Sequence, residues 1–158
     1  MKKILFLLAM LPMIFLTACS SDDEELKLKK EIIIYNNIDK NDINTSKYDG
    51  VLYDIYILTG DGIYTLIGDI QNGDKKSFYY PKESTSDKFG ILLKLGKNET
   101  EAKKDDFTVL SNKSNKEILF FTAKENRPLE ISISEEFYFR YMPYNNIKDI
   151  ITAIEGSM

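Results

Sequence analysis

The chain has 158 residues, with 21 Lys and Arg against 25 Asp and Glu, a formal net charge of −4, one cysteine, no histidine and no tryptophan. Histidine is the side chain that titrates near neutral pH and the commonest transition-metal ligand. Its absence argues against zinc, copper and haem sites, Ser-His-Asp triads and Cys-His dyads. An acidic chain with no long basic cluster gains little from phosphate backbones or anionic membranes, so nucleic acid is not an expected partner.

The N-terminus has the three parts of a secretory signal: Lys2 and Lys3, an apolar stretch from Ile4 to Leu16, and small residues before Cys19. The stretch is too short to span a bilayer, which takes ~20 residues. No second apolar run of that length follows. Leu16-Thr17-Ala18-Cys19 resembles the lipobox of bacterial lipoproteins. The resemblance implies a diacylated thiol on Cys19, cleavage before it, and an amine that can be acylated in turn. Two or more chains make membrane attachment effectively lasting. The alternatives are an ordinary signal peptide with an incidental cysteine, or a short buried helix. Lipidation would also use up a lone thiol that is a liability in an oxidising compartment, leaving none for metal or nucleophilic duty.

Ser20-Ser21-Asp22-Asp23-Glu24-Glu25 follows directly. Its plain reading is a solvated tether, extended by like-charge repulsion. The run is also similar to the surface-export signal of Bacteroidota-type lipoproteins, which implies display outside the outer membrane; a periplasm-facing anchor is the alternative. The chain thus divides into a signal peptide (1–18), a lipidated cysteine with acidic tether (19–30), and a domain (31–158). Removing the first 18 of 158 residues leaves 140, enough for one domain with a core, and losing Lys2 and Lys3 takes the formal charge from −4 to −6.

From Leu26 onward, short apolar runs alternate with Gly, Asn, Asp and Lys clusters, the pattern of sandwiches and barrels. Ile32–Tyr35 suits a first strand, and Asn36–Tyr48 a crossing loop. Val51–Leu58 and Ile63–Ile70, joined through Thr59-Gly60-Asp61-Gly62, read as a hairpin. Asn72-Gly73 marks a second hairpin, carrying the chain into Phe78–Tyr80 as the third strand of an antiparallel meander. Phe89, Ile91, Leu93 and Leu95 alternate with Gly90, Leu92 and Lys94, the pattern of a half-buried strand with its core face on odd positions. Gly96–Asp106 is a charged loop or short exposed helix, and Phe107–Leu110 and Ile118–Ala123 are further strands. Leu129, Ile131 and Ile133 alternate, and Phe137, Phe139 and Tyr141 keep the same parity. Glu135 falls on that inward face, so a break or bulge is expected there. Ile147, Ile150, Ile151 and Ile154 form a helical stripe, which Asn145 or Asn146 can cap and Gly156 can end. That helix either packs on the sheet or binds a partner. The expected fold is mainly β, an antiparallel β-sandwich, immunoglobulin-like or transthyretin-like, with a C-terminal amphipathic helix. Small barrels remain an alternative.

Acid–base chemistry could come only from carboxylates: Asp54, Asp69, Glu130, Glu135 and Glu136 lie in or beside strands. A facing pair could hydrolyse a glycosidic bond, yet nothing in the sequence pairs them. Asp39-Lys40-Asn41-Asp42-Ile43-Asn44 has the alternating oxygens that begin a calcium loop, but Thr45 stands where that loop needs glycine and no glutamate stands at the twelfth position. Asp69, Asn72 and Asp74 are explained by turn chemistry. No metal or cofactor is expected. Tyr53, Tyr56, Tyr64, Tyr79, Tyr80, Tyr138, Tyr141 and Tyr144 are either core and sheet residues or a stacking face for sugar or protein. The expected function is a non-enzymatic binding or structural module, held in the membrane by its acyl groups, with a protein or polysaccharide partner at the cell surface. Membership of a polymer-uptake system or a secretion machine are the alternatives.

Overall fold

A computed structural model of the chain describes residues 30–41, 43, 46–144 and 146–154, with side chains through 152. Cys19, the run Ser20–Glu25, Asp42, Asn44, Thr45, Asn145, Gly156 and the side chain of Ile154 lie outside the described residues.

Among the described residues nine strands build two sheets. Strand β1 (Glu31–Asn36) directs Ile32, Ile34 and Asn36 inward and the residues between them outward, the two-residue period that β-branched runs favour. It is the middle strand of a three-stranded sheet, between β4 (Lys75–Tyr79) and β8 (Leu129–Ile133). The second sheet runs β3 (Tyr64–Gln71), β2 (Val51–Thr59), β5 (Lys88–Lys94), β6 (Thr108–Asn112), β9 (Phe137–Tyr141), with the short β7 (Phe121–Thr122) also pairing β5. The neighbours are antiparallel, as a sandwich of this type requires, with one departure: β1 and β8 run parallel, Ile32 opposite Leu129 and Asn36 opposite Ile133.

Between the sheets lies the main core, including Ile32, Ile34, Leu52, Ile55, Ile57, Phe89, Ile91, Leu93, Ile131 and Phe139. A second cluster lies on the other face of the larger sheet. There Leu58, Leu92, Phe107, Val109 and Met142 pack with Ile150 of the C-terminal helix, and Ile147 and Ile151 pack around it. Ile147, Ile150 and Ile151 of the stripe are therefore docked. In chain order the helices are α1 (Glu99–Lys104), which Asn98 caps by accepting from the Glu101 amide at 3.0 Å, and α2 (Ile147–Ile154). Asn146 caps α2, its side-chain oxygen accepting from the Lys148 amide at 3.0 Å.

Docking of α2 corrects one expectation. Every residue from Phe89 to Leu95 is buried, so β5 is buried on both faces rather than half-buried. Leu92 points into the helix-covered cluster.

The Asn72-Gly73 turn corrects another. It has the positive φ of a tight turn, +84° at Gly73, but it does not close a hairpin. β4 leaves β3 and pairs with β1 in the other sheet. What holds this crossing is Asn36 at the end of β1, fully buried. Its amide donates to the carbonyls of Ile70 (2.9 Å) and Gly50 (3.4 Å), and its oxygen accepts from the Tyr48 hydroxyl (2.9 Å). Its backbone carbonyl accepts from the Gly73 amide at 2.7 Å. Asn72 completes the lock, donating to the Ile38 carbonyl at 2.7 Å and to Tyr48 at 3.2 Å. Buried polar groups persist when every member has a partner, and here that requirement fixes where the chain changes sheet.

Ile118–Ala123 contributes less strand than expected, the two residues of β7 and a bridge from Ile118 to Ser111. The break expected at Glu135 is present: β8 ends at Ile133 in one sheet, β9 starts at Phe137 in the other, and the Phe137 amide bonds the Ser134 carbonyl at 3.2 Å.

Candidate functional site

The five strand carboxylates do not converge. Asp54 stands at φ +43° in the middle of β2, where the pairing with β3 slips. Aspartate tolerates that left-handed conformation better than most residues. Gly68 at φ +89° faces the same irregularity across the ladder. The Asp69 carboxylate accepts from the Asp54 amide at 2.9 Å, so Asp69 serves the bulge. Glu130 and Glu136 are exposed, while Glu135 accepts from the Asp39 amide at 3.4 Å. Lys103 of α1 balances this acidic region: its hydrogen bond and ion pair with Glu99, helped by Asp54 and Asp69, raise its pKa.

In the candidate calcium loop, Asp39 accepts from the Asn41 amide at 2.9 Å and from its side chain at 3.1 Å, a local Asx turn. Among the described residues no three Asp, Glu, Cys or His side chains gather as a metal site would need.

The tyrosines divide by depth. Tyr53 and Tyr80 are buried. Burial and the hydrogen bond to Asp49 (2.8 Å) push the Tyr53 hydroxyl up to about 12. Tyr56 and Tyr144 are half-buried against the α2 cluster. Lysines cover others: Lys116 lies 3.7 Å from the ring centre of Tyr138, and Lys47 lies 5.3 Å from that of Tyr141. The exposed ones, Tyr64, Tyr79 and Tyr141, stand on three different strands, β3, β4 and β9. They do not form one stacking platform.

Two places stand out instead, and neither was picked out from the sequence. The first surrounds Lys30, the residue just before β1. The Lys30 carbonyl accepts from the Tyr80 amide at 2.8 Å, and the Lys30 ammonium pairs with Asp87. The loop beneath is fastened by Asp61, whose carboxylate accepts from Thr59 (2.5 Å), Ser84 (2.8 Å) and both the amide (2.6 Å) and hydroxyl (3.1 Å) of Thr85. Desolvation works to raise the Asp61 pKa, yet these hydrogen bonds hold it well below the ordinary carboxylate range. Nearby, Lys124, Arg127, Pro128, Leu129 and Glu130 line an open cleft of about 580 Å³, whose Leu129 pairs with Ile32 of β1.

The second place is β3, an edge strand of the larger sheet. Tyr64 and Leu66 lie opposite Leu58 and Tyr56, on the face that α2 covers further in. They remain 41% and 54% exposed. Tyr64 packs edge-on against Tyr56 (centroids 6.3 Å apart), and Tyr56 against Phe107 at 5.7 Å. The helix-covered cluster thus runs out to an uncovered apolar margin. Exposed apolar side chains joined to a core in this way mark interaction surfaces.

No protein-family model matches the chain, and no curated protein matches it. A solved structure described as the NMR structure of the protein from Eubacterium rectale is similar over 78% of this chain and 94% of its own, at 10% identity and a TM-score of 0.44. At that distance it transfers neither fold nor function.

Proposed function

We propose that the chain is a lipid-anchored, non-enzymatic module of the cell envelope, held at the outer membrane by acyl groups on Cys19 and binding a protein or polysaccharide at the cell surface. The observation that carries this reading is Leu16-Thr17-Ala18-Cys19 behind a basic and apolar leader, followed by the acidic run from Ser20 to Glu25.

Two features of the fold support it. Lys30 follows Cys19 by eleven residues, a length that reaches at most ~36–40 Å when fully extended. The domain would therefore stay close to its membrane. That tether runs into β1, the central strand of its sheet, held by five residue pairs to β4 and five to β8. A pull on the tether along β1 loads both ladders together in shear. The β3 margin provides the surface through which such a module would hold a partner.

The test is Cys19→Ala in the full chain. Acyl labelling should vanish and the protein should move from membrane to soluble fractions. Unchanged labelling and membrane retention would overturn the proposal.

A further inference from the structure

Edge strands offer unpaired backbone groups to any other strand, and natural proteins guard them with charges, bulges or cover. Among the described residues every sheet edge carries charge: Lys75 and Lys76 on β4, Glu130 on β8, Arg140 on β9 and Asp69 on β3. On β3 that charge sits at the slip in its pairing with β2, and Tyr64-Thr65-Leu66-Ile67 carries none. Its guards lie only at the far end. There the pairing with β2 slips at Ile67–Gly68, and the Lys76 ammonium donates to the Ile67 carbonyl at 3.3 Å. The regular, unguarded ladder is Tyr64 to Leu66.

We infer that this edge pairs with the same edge of a second copy, antiparallel, about a twofold axis through Thr65. The inference rests on the reading of the β3 margin as the binding surface and names its occupant. The register follows from the sequence. With Thr65 opposite Thr65 of the second copy, Tyr64 of each chain faces Leu66 of the other, so both exposed apolar residues of one copy cover both of its mate. Aromatic–aliphatic cross-strand pairs are among the favourable ones. The contact repeats itself under the twofold, as an isologous interface must. No charge lies within Tyr64–Leu66, and the nearest like charges in this register, Asp61 of one copy and Asp69 of the other, fall four residues from the axis, beyond the ladder. A register centred on Asp69 would instead set two carboxylates against each other. So short a ladder is small for a permanent dimer, which usually buries more than ~1,000 Å². It suits copies already concentrated by a common membrane, where the second contact forms at high effective concentration.

Thr65→Cys in the full chain, oxidised in its own membranes, tests this. Directly opposed residues of antiparallel strands have Cα atoms ~4.5–5.5 Å apart, within disulfide reach. A disulfide dimer should form from Thr65→Cys and from a mixture of Tyr64→Cys and Leu66→Cys chains, while Glu130→Cys on the β8 edge stays monomeric. Equal crosslinking from Glu130→Cys, no crosslinking from Thr65→Cys, or crosslinking only to a chain of different mass would overturn the second-copy assignment. A dimer from the unaltered chain would report a free Cys19 thiol and so a failure of the anchor reading; the set would then be repeated with Cys19→Ser. Should Thr65→Cys disturb the strand, Leu66→Lys decides by energy transfer between fluorescently tagged copies in the same membranes. It should abolish the transfer without lowering the melting temperature, and unchanged transfer would refute the pairing.

Discussion

Truncating Ile150 to alanine measures what α2 contributes. The side chain is fully buried, in contact with a cluster of Leu58, Leu92, Phe107, Val109 and Met142. The substitution removes three carbon groups worth ~0.8 kcal/mol each in transfer. A cavity term follows, because the sheet beneath cannot collapse into the space, bringing the total to about 3–4 kcal/mol. For a domain of this size that lowers the melting temperature by roughly 10–15 °C. Thermal unfolding followed by circular dichroism reads it directly. Lys148→Ala, on the exposed side of the same helix, serves as the control and should stay within ~0.5 kcal/mol of the parent. A melting temperature for Ile150→Ala within a degree or two of the parent would refute the argument. It would mean that α2 does not close the second core and that the outer face of β5 is open.

Three further outcomes follow from other parts of the molecule. Asn36→Ala should cost about 2–4 kcal/mol in denaturant unfolding, because it removes the acceptor of the Tyr48 hydroxyl proton and a donor to the Ile70 carbonyl at the sheet crossing. Asp61 has its folded pKa below its unfolded one, so its contribution is fully present above the unfolded value of ~3.9 and is lost as pH falls toward the folded one. Asp61→Asn should therefore flatten the acid limb of the stability curve below about pH 4 and lower the rest of the curve evenly, leaving its alkaline slope unchanged. Replacing Asp22, Asp23, Glu24 and Glu25 by alanine should preserve acylation but shield the protein from protease added to whole cells; a parent chain that is itself protected would place the module on the periplasmic side.

Much of this architecture is local and hence legible in the sequence. Ile32 and Ile34 state the inward face of β1, the isoleucines at 147, 150 and 151 state the docked side of α2, and Glu135 marks the corner between β8 and β9. The remainder depends on pairings that no local pattern encodes. Asn72-Gly73 specifies a backbone with positive φ but not the strand that follows it. The choice of β1 over β3 is made by Asn36, which in the sequence is only the first polar residue after an apolar run. The parallel pairing of β1 with β8 joins residues nearly a hundred positions apart, and the burial of Leu92 depends on a helix that begins more than fifty positions later. A run such as Ile91-Leu92-Leu93 does carry the signature of a strand buried on both faces, and that signal was there to be read. The exposed margin at Tyr64 and Leu66 could not be found from residue type, because aromatic and aliphatic residues on strands are ordinarily core. Their exposure follows from tertiary packing, in which Leu58 and Leu92 are buried with Ile150 while Tyr64 and Leu66 are not.

The central claim is the anchor, and intact-mass spectrometry of the chain purified from membranes tests it most directly. A lipidated chain would be a polypeptide beginning at Cys19 and heavier than residues 19–158 by the mass of two or three acyl chains with their glyceryl linker. A chain recovered at its unmodified mass, or cut elsewhere than before Cys19, would contradict it.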